Sequence, residues 1–347
     1  MRDLSLVLAH VASTPWAILP DRGSVILRVL LARAIHGRGA LLEDADPVVQ
    51  ADRSVYAARR EAASASPAGV GVLPIYGVLE HRLHAVSDAS GGGLVAAEGI
   101  ASRLRAMNED PRVSTIVLDM DSPGGSVAGI QELGDEIAAS AKPVVAVVNA
   151  TAASAAYWLA AQASEIVVTP SGRVGSIGVY LVHEDISKAL EADGVTPTIV
   201  SAGRNKVEGN PFAPLTDEAR ATLQAEVDRY YDAFTKAVAK GRGVSAKVAR
   251  GEQFGEGRMF GAAEAVERGM ADSIGTLEET IARFQGGGRV KRRASAEAMP
   301  VAPKAAEPPL VLFANEPSPA PSEPETQAAP AVRVIDPALE LLDSESR

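Results

Sequence analysis

Cysteine is absent from this 347-residue chain. Disulfide bonds, a cysteine nucleophile and a zinc–thiolate site are therefore all excluded. Aromatic residues are also scarce, at 4% of the chain, although hydrophobic residues together reach 46%. A packed core is therefore feasible, but it must be built mostly from alanine, valine, leucine and isoleucine.

Positive charge is in short supply as well. The 34 lysine and arginine residues face 44 aspartate and glutamate residues, which gives a formal net charge of −10. Because binding to nucleic-acid phosphates requires clustered cations, this balance argues against nucleic acid as a main partner. One basic cluster, Arg289, Lys291, Arg292 and Arg293, is interpreted as a solvated linker.

Metal-binding and nucleotide-binding motifs are missing. The five histidines are scattered and form no His-x-x-x-His pair, so no metal site is predicted. The Gly-x-x-x-x-Gly-Lys-Ser/Thr loop that cradles nucleotide phosphates is absent too. The sequence therefore predicts no cofactor.

No segment is predicted to cross a membrane. The first residues do not form a secretory signal, because His10 interrupts a short apolar patch. An uncharged run of 21 residues, 143–163, approaches the length of a transmembrane span. It contains polar residues and far more alanine than leucine, so it is interpreted as a buried strand that leads into a helix of small residues.

Strands and helices are predicted to alternate through the middle of the chain. The predicted strands cover 72–75, 78–79, 113–120, 144–148, 166–168, 177–182 and 198–200. The predicted helices cover 99–107, 130–137, 185–192, 216–240, 262–268 and 277–284, and a further helix begins near Ser154. This alternation predicts an α/β fold with a largely parallel sheet.

Composition divides the chain into three predicted regions. Residues 1–66 are predicted to be an N-terminal helical extension, with helices over 22–36 and 48–64. Residues 67–285 form the α/β domain. Residues 286–347 are rich in proline, alanine and glutamate and are predicted to be disordered, because such a segment buries too little apolar surface to fold.

Ser154 lies between a buried strand and the alanine-rich helix that follows it. Helix N-termini present free N–H groups that favour an oxyanion, and the N–H of Ala155 is a natural donor. The small residues around Ser154 let a substrate backbone come close. Serine is also a preferred helix cap, so the residue type alone is compatible with a purely structural role.

A Pro-Gly-Gly turn ends the preceding predicted strand, in the motif Asp-Ser-Pro-Gly-Gly at 121–125. Ligands bind parallel sheets at the carboxyl ends of their strands, so this turn and Ser154 are expected to meet at one edge. Gly125 and Ala155 could then donate their N–H groups to one oxyanion. Taken alone, the motif is equally compatible with an ordinary turn.

Lys206 lies in the glycine-containing segment Gly-Arg-Asn-Lys-Val-Glu-Gly-Asn-Pro-Phe, 203–212. A lysine can act as a general base when burial lowers its pKa toward the working pH. A Ser154–Lys206 dyad would suit peptide hydrolysis. By residue type alone Lys206 is equally compatible with a surface lysine.

A histidine base is the alternative to Lys206. His183 follows Ser154 in the chain and is flanked by Glu184 and Asp185. Adjacent residues cannot easily orient one another's side chains, so a Ser–His–Asp triad is disfavoured.

Four motifs together resemble the S49 peptidase family, in its signal-peptide-peptidase A group. They are Asp-Met-Asp-Ser-Pro-Gly-Gly-Ser at 119–126, Ala-Thr-Ala-Ala-Ser-Ala-Ala-Tyr at 150–157, Gly-Arg-Val-Gly-Ser-Ile-Gly-Val at 172–179, and 203–212. The four motifs follow one another in the same order as in the family, and the resemblance covers roughly residues 70–285. It implies a Clp protease/crotonase-like fold, a superhelix of ββα units.

The resemblance also implies roles for individual residues. Ser154 is the implied nucleophile and Lys206 the implied general base. The peptide-binding cleft is implied to lie near 175–179, so the candidate substrate-binding residues are Gly124, Gly175, Ser176, Ile177 and Gly178. Glycines often follow the nucleophile in the family, whereas Ala155 and Ala156 follow it here. Alanine still supplies an N–H group, but the pocket is expected to be tighter.

The ends of the chain favour the phage branch of the family. His-Val-Ala-Ser-Thr-Pro-Trp-Ala-Ile at 10–18 is similar to the opening of capsid assembly proteases of tailed phages, and the tail at 286–347 fits their scaffold-like extension. This implies a serine endopeptidase that cleaves scaffold, portal or major capsid proteins inside the procapsid, in the host cytoplasm. A homo-oligomeric ring is implied, without a membrane or nucleic-acid partner, and Met299 is a candidate internal start for a separate scaffold product.

Three other functions remain open. The chain could be a cytoplasmic bacterial peptidase with the same mechanism, or an assembly scaffold whose peptidase domain is inert. An acyl-CoA enzyme of the crotonase type is a more distant alternative, because it needs no lysine base at this place.

Overall fold

The computed structural model describes residues 15–20, 69–82 and 94–290. All of these residues lie within the unit Met1–Pro303. The helices predicted over 22–36 and 48–64, the candidate start at Met299 and the predicted disorder of the tail beyond 290 lie outside the described residues.

The described residues form eleven strands, eight α-helices and one short 3-10 helix. The strands are β1 (Trp16–Ile18), β2 (Gly69–Tyr76), β3 (Val78–Glu80), β4 (Leu94–Ala96), β5 (Val113–Ser122), β6 (Gly124–Ser126), β7 (Val144–Ala153), β8 (Glu165–Val168), β9 (Arg173–Gly175), β10 (Met259–Gly261) and β11 (Ser273–Ile274). The helices are α1 (Ala97–Glu109), α2 (Ile130–Ala138), α3 (Ala155–Gln162), α4 (Ser187–Ala192), α5 (Asp217–Arg242), α6 (Ala246–Arg250), α7 (Ala262–Glu267) and α8 (Leu277–Gln285), with the 3-10 turn at Glu252–Phe254.

The larger sheet has seven strands. Its main path runs β10-β9-β7-β5-β2, while β8 pairs with β7 and β11 pairs with β8. Every pairing in it is parallel except the one between β9 and β10. The predicted α/β fold with a largely parallel sheet is therefore confirmed.

The smaller sheet has the order β1-β6-β3-β4. Two of its four strands directly continue strands of the larger sheet, since β2 leads into β3 and β5 leads into β6. Helix α1 follows the first of these pairs after β4, and α2 follows the second. The repeated ββα units implied by the family resemblance are thus present, and they bring the carboxyl ends of β5 and β7 next to the smaller sheet.

Helix α3 is buried along almost its whole length. Ala155 to Ala161 are at most 1% exposed, and the Trp158 ring stacks on Phe234 of α5 at a centroid distance of 4.8 Å. A Cβ atom at Gly241 of α5 would collide with the carbonyl oxygen of Ala161, so small residues let the two helices approach closely. The uncharged run at 143–163 is therefore a buried strand and helix, as predicted.

Helix α5 is the longest element, with 26 residues, and spans about 39 Å. The hydroxyl of Thr216 caps it by accepting a hydrogen bond from the N–H of Ala219, and Gly243 ends it in a left-handed conformation. Five of its six buried residues lie between Phe234 and Arg242. The helix is thus anchored in the core by its C-terminal third, and its first two thirds are largely solvent-exposed.

Two predicted strands do not form. Residues 177–182 contain a single β-bridge, in which Tyr180 pairs with Trp16, and residues 198–200 have no strand structure. Both segments are apolar, but no neighbouring strand lies alongside 198–200 in the described part of the chain, and Val200 is 94% exposed. Apolar composition alone therefore gave the wrong secondary structure here.

The strand lengths were also underestimated. Strand β7 continues to Ala153 rather than ending near Val148, and the Pro-Gly-Gly motif enters β6 instead of forming only a turn. The remaining predicted helices match the observed ones to within two residues at each end.

A buried ion pair anchors α5 to the large sheet. The guanidinium of Arg242 is 3% exposed, makes two 2.9 Å hydrogen bonds to Asp272 and donates a third to the carbonyl of Gly269. Replacing Arg242 by methionine would leave a partly buried carboxylate without its cation. We expect the free energy of unfolding to fall by about 3–5 kcal/mol, measured by urea denaturation.

The control is Arg105→Met, which removes an exposed ion pair with Glu136. This change is expected to leave the urea midpoint nearly unchanged, because water already screens that pair. Equal destabilisation by the two substitutions would contradict the role assigned to Arg242.

Candidate active site

Ser154 joins β7 to α3 in a strained backbone conformation, with φ 54° and ψ −118°. Its N–H donates to the carbonyl of Gly175 at 2.8 Å, and its own carbonyl accepts from the N–H of Trp158 at 2.9 Å. A positive φ in a residue other than glycine costs about 1–3 kcal/mol and persists only where the surroundings enforce it. Such strain is typical of functional sites.

The Ser154 side chain does not cap the helix that it precedes. Its Oγ instead donates to the carbonyl of Gly178, at 3.3 Å. The structural explanation for a serine at this position, helix capping, therefore does not apply. The hydroxyl points away from α3 toward the segment that follows β9.

Ala155 is the first residue of α3 and is fully buried. The N–H groups in the first turn of a helix have no partner within the helix and carry partial positive charge. The N–H of Ala155 thus follows the Ser154 hydroxyl directly in the chain, in an environment that favours negative charge. This is the arrangement expected of an oxyanion donor.

Gly124 of β6 lies directly beside Ser154. Its φ is +96°, and a Cβ atom built on it would collide with the carbonyl oxygen of Ala17 and lie 3.0 Å from Cβ of Ser154. The N–H of Gly124 donates to the hydroxyl of Ser122, at 3.2 Å. The carboxyl end of β5 and the nucleophile candidate are therefore adjacent, and only glycine fits between them.

Gly125 lies one residue further along β6. It is paired with Ala17 of β1 on one side and with Leu79 of β3 on the other. It has no room for a side chain, because a Cβ atom would collide with the carbonyl of Leu79.

The predicted substrate-binding segment adjoins Ser154 as well. Gly175 has φ +132°, and a Cβ atom there would collide with the carbonyl of Arg258, which also accepts a 2.8 Å hydrogen bond from the N–H of Ser176. Ile177 is 1% exposed, and the Gly178 carbonyl is the acceptor for the Ser154 hydroxyl. The structure thus brings Gly124, Gly175 and Gly178 into direct contact with Ser154.

Lys206 lies in a different environment. It is exposed, within the run of turns at 202–209, and its N–H donates to the carbonyl of Gly203 at 3.1 Å. The ion pair between Arg204 and Glu218, at 2.9 Å, ties this run to the first turn of α5. Among the described residues, no hydrogen bond joins Lys206 to Ser154, so its role as a base stays a prediction.

The histidine alternative finds no support in the geometry. Nε2 of His183 lies 3.2 Å from the carbonyl oxygen of Asn210, and Asp185 accepts a 3.0 Å hydrogen bond from the N–H of Ser187. The hydroxyl and N–H of Ser187 hold the pKa of Asp185 below its usual range. His183 thus faces the segment that carries Asn210, and Asp185 caps the backbone just after it, so neither side chain is bonded to Ser154.

Strand β1 is the feature at the site that sequence reasoning missed. It was included in a predicted helical extension, yet Trp16 to Ile18 form an antiparallel strand against β6, next to Ser154. The available signal was the short apolar run Trp-Ala-Ile-Leu between Pro15 and Pro20. Such a run, bounded by prolines, is typical of a short buried strand rather than of a helix.

The described ranges contain neither a metal-ligand cluster nor a membrane-spanning helix. No three or more histidine, aspartate or glutamate side chains are grouped there so as to hold a metal ion. None of the helices within 94–290 has the length and hydropathy to cross a bilayer.

The site combines a strained serine at a strand–helix junction with backbone N–H groups around it. Residues 136–291 match the model of Peptidase family S49. The chain therefore carries a peptidase S49 domain, and that domain includes Ser154, Gly175 and Lys206.

Known proteins with similar sequences include two from phages. The chain is 38% identical to capsid assembly protease C of Escherichia phage lambda over 215 residues, which cover 61% of this chain and 48% of the phage protein. It is 36% identical to head-tail preconnector protein GP5 of Enterobacteria phage P21, over 61% of this chain and 42% of that protein. The chain thus spans about half the length of these relatives, or less.

Among solved structures, a variant of ClpP1 from Listeria monocytogenes is similar with a TM-score of 0.40 and 15% sequence identity. The similarity covers 60% of this chain and 94% of the ClpP1 chain.

Gly124 offers a test of the close contact with Ser154. An alanine there must adopt φ near +96° and displace either Ala17 or Ser154. We expect Gly124→Ala to lower the free energy of unfolding by at least about 1 kcal/mol, measured by chemical denaturation.

Gly261→Ala is the matched control. Gly261 has φ −72°, and a Cβ atom there meets nothing within 4 Å. The free energy of unfolding of the Gly261→Ala protein is expected to stay the same or rise slightly. A harmless Gly124→Ala would show that β6 and Ser154 are not in contact.

Proposed function

We propose that this chain is a serine endopeptidase with a Ser154–Lys206 dyad, and that it processes head proteins during procapsid maturation. The observation that carries the proposal is the strained Ser154, whose hydroxyl leaves the helix uncapped and faces the segment after β9. The peptidase S49 domain and the similarity to a phage capsid assembly protease support it.

The proposed chemistry begins with attack of the Ser154 oxygen on the scissile carbonyl carbon. Neutral Lys206 takes the hydroxyl proton, and the N–H groups of Gly125 and Ala155 hold the resulting oxyanion. Protonated Lys206 then gives its proton to the leaving amine, which leaves an acyl-enzyme. A water molecule, deprotonated by the same lysine, hydrolyses the ester and frees Ser154.

This mechanism requires Lys206 to be neutral, and therefore buried. In the single chain Lys206 is exposed. Assembly of several copies could supply the missing burial, because the segment that carries Lys206 is unusually apolar on its surface. Val182, Val195, Ile199, Val200 and Phe212 are each at least 40% exposed. Several exposed apolar side chains in one segment favour a protein–protein contact there.

We therefore propose a homo-oligomeric ring in which the segment 182–212 and the exposed part of α5 form the contact between subunits. The proposed substrates are scaffold, portal or major capsid proteins, with small or apolar residues near the cleaved bond. The proposed site of action is the procapsid in the host cytoplasm.

The dyad is tested by substitution. Ser154→Ala and Lys206→Ala are each expected to slow the cleavage of the capsid and scaffold proteins encoded by neighbouring genes by at least about 1,000-fold. Each substitution removes a group that acts in the transition state. Gel electrophoresis and mass spectrometry of the products would measure the rate.

Lys247→Ala, on the exposed face of α6, is the control and is expected to cleave at the wild-type rate. His183→Ala is also expected to stay active, since no histidine base is proposed. If wild-type protein cleaves nothing and Ser154→Ala assembles capsids normally, the chain is an inert scaffold and the proposal is wrong.

The ring is tested at Val200, which is 94% exposed. Val200→Asp places a charge in the proposed contact, so the molar mass measured by sedimentation is expected to fall and peptidase activity to fall with it. Gln131→Asp on the exposed side of α2 is the control and is expected to leave the assembly intact. An unchanged mass for Val200→Asp would place the subunit contact elsewhere.

A further inference from the structure

Strand β1 is hydrogen-bonded on both of its edges. On one edge it runs antiparallel to β6, the strand that carries Gly124 and Gly125. On the other edge Trp16 and Tyr180 exchange two backbone hydrogen bonds, of 2.8 and 2.9 Å. Tyr180 lies two residues beyond Gly178, whose carbonyl binds the Ser154 hydroxyl. The strand thus fills a groove whose two walls both touch the candidate nucleophile.

The hydrogen bonds between β1 and β6 determine which carbonyl of β1 faces Gly125, a proposed oxyanion donor. Leu19 donates to Pro123 at 3.0 Å, and Val127 donates to Pro15 at 3.3 Å. In an antiparallel pair such bonded positions recur every second residue, so Ala17 and Gly125 exchange both of their hydrogen bonds. The N–H of Gly125, the proposed oxyanion donor, therefore donates to the carbonyl of Ala17.

The same carbonyl lies beside Ser154. A Cβ atom on Gly124 would collide with the Ala17 oxygen and would lie 3.0 Å from Cβ of Ser154. The Ala17 carbonyl oxygen and the Ser154 side chain therefore lie close to each other, next to Gly124. Ser154 is only 1% exposed and Ala17 is fully buried. In this arrangement an incoming peptide cannot reach the nucleophile.

We propose that Trp16–Ile18 is an intramolecular peptide ligand of the active-site groove, which holds the Ala17 carbonyl where a scissile carbonyl would bind and which must leave before a substrate enters. This inference rests on the proposed function, because it takes Ser154 as the nucleophile. Binding by addition of an extended strand uses backbone hydrogen bonds for affinity and alternate side chains for specificity.

The occupant also indicates which sequences the groove accepts. Trp16 and Ile18 are 6% and 2% exposed, and the small Ala17 between them is completely buried beside Gly124. A competing peptide is therefore expected to carry a small residue between two large apolar ones. A long or charged side chain in place of Ala17 would have no room.

The test measures peptide binding in full-length protein that carries Ser154→Ala, so that nothing is cleaved. The probe is a fluorescent peptide with the sequence of residues 13–20, followed by anisotropy. Adding Trp16→Pro removes the hydrogen bond from Trp16 to Tyr180, and the peptide is expected to bind at least about tenfold more tightly, because the groove becomes free more often. The same peptide with Ala17→Arg is expected not to bind.

Pro20→Ala, at the exposed end of the same segment, is the control and should leave the affinity within about twofold of the parent. Thermal unfolding would establish that Trp16→Pro leaves the protein folded. Equal affinity for the Trp16→Pro and Pro20→Ala proteins, both folded, would overturn the inference.

A second measurement needs no change in the segment itself. The chain has only two tryptophans, and Trp158 is buried against Phe234. A probe peptide in which phenylalanine replaces the tryptophan is expected to displace Trp16 into water, which shifts the emission to the red. Bound peptide without a shift would count against displacement. Both measurements use Ser154→Ala, so they stand even if Lys206 proves not to be the base.

Discussion

A single hydrogen bond, from the N–H of Ser154 to the carbonyl of Gly175, fixes the geometry on which the site depends. It ties the junction between β7 and α3 to the end of β9 and holds Ser154 in a conformation that serine rarely adopts. Gly175 is itself confined by the backbone of Arg258. The energetic cost of the strained serine is thus offset by two neighbouring strands, and not by the serine's own side chain.

Close backbone contacts surround this bond. Gly124 and Gly175 both lack room for a methyl group, and both flank Ser154. The parallel sheet explains why they meet, because β5, β7 and β9 end at the same edge. Alanine in α3 lets α5 pack against it from behind, so Ser154 precedes a helix that is buried along almost its whole length. The backbone around Ser154 is therefore held in place by the packed core behind it.

Local sequence patterns predicted the elements whose structure depends on composition. They predicted less well the elements whose structure depends on pairing with distant strands. The buried strands and the alanine-rich helix after Ser154 follow from apolar patterning, and the site motifs follow from glycine and serine spacing. The left-handed backbone of Ser154 does not, since residue type favours capping there instead. Residues 198–200 resemble a strand but have no neighbouring strand within the described part of the chain, whereas Trp16 to Ile18 form one because β6 and Tyr180 happen to flank them. Such long-range pairing is invisible to local patterns.

Helix α5 links the two halves of the proposed dyad mechanically. Near its C-terminus, Phe234 stacks on the helix that begins beside Ser154, while Glu218 in its first turn holds Arg204, two residues from Lys206. A helix of about 39 Å is stiff, so a small tilt at the anchored end becomes a displacement of several ångströms at the free end. Because Phe234 and Glu218 lie on the same helix, we expect the position of Lys206 relative to Ser154 to depend on how the outer part of α5 packs against neighbouring molecules.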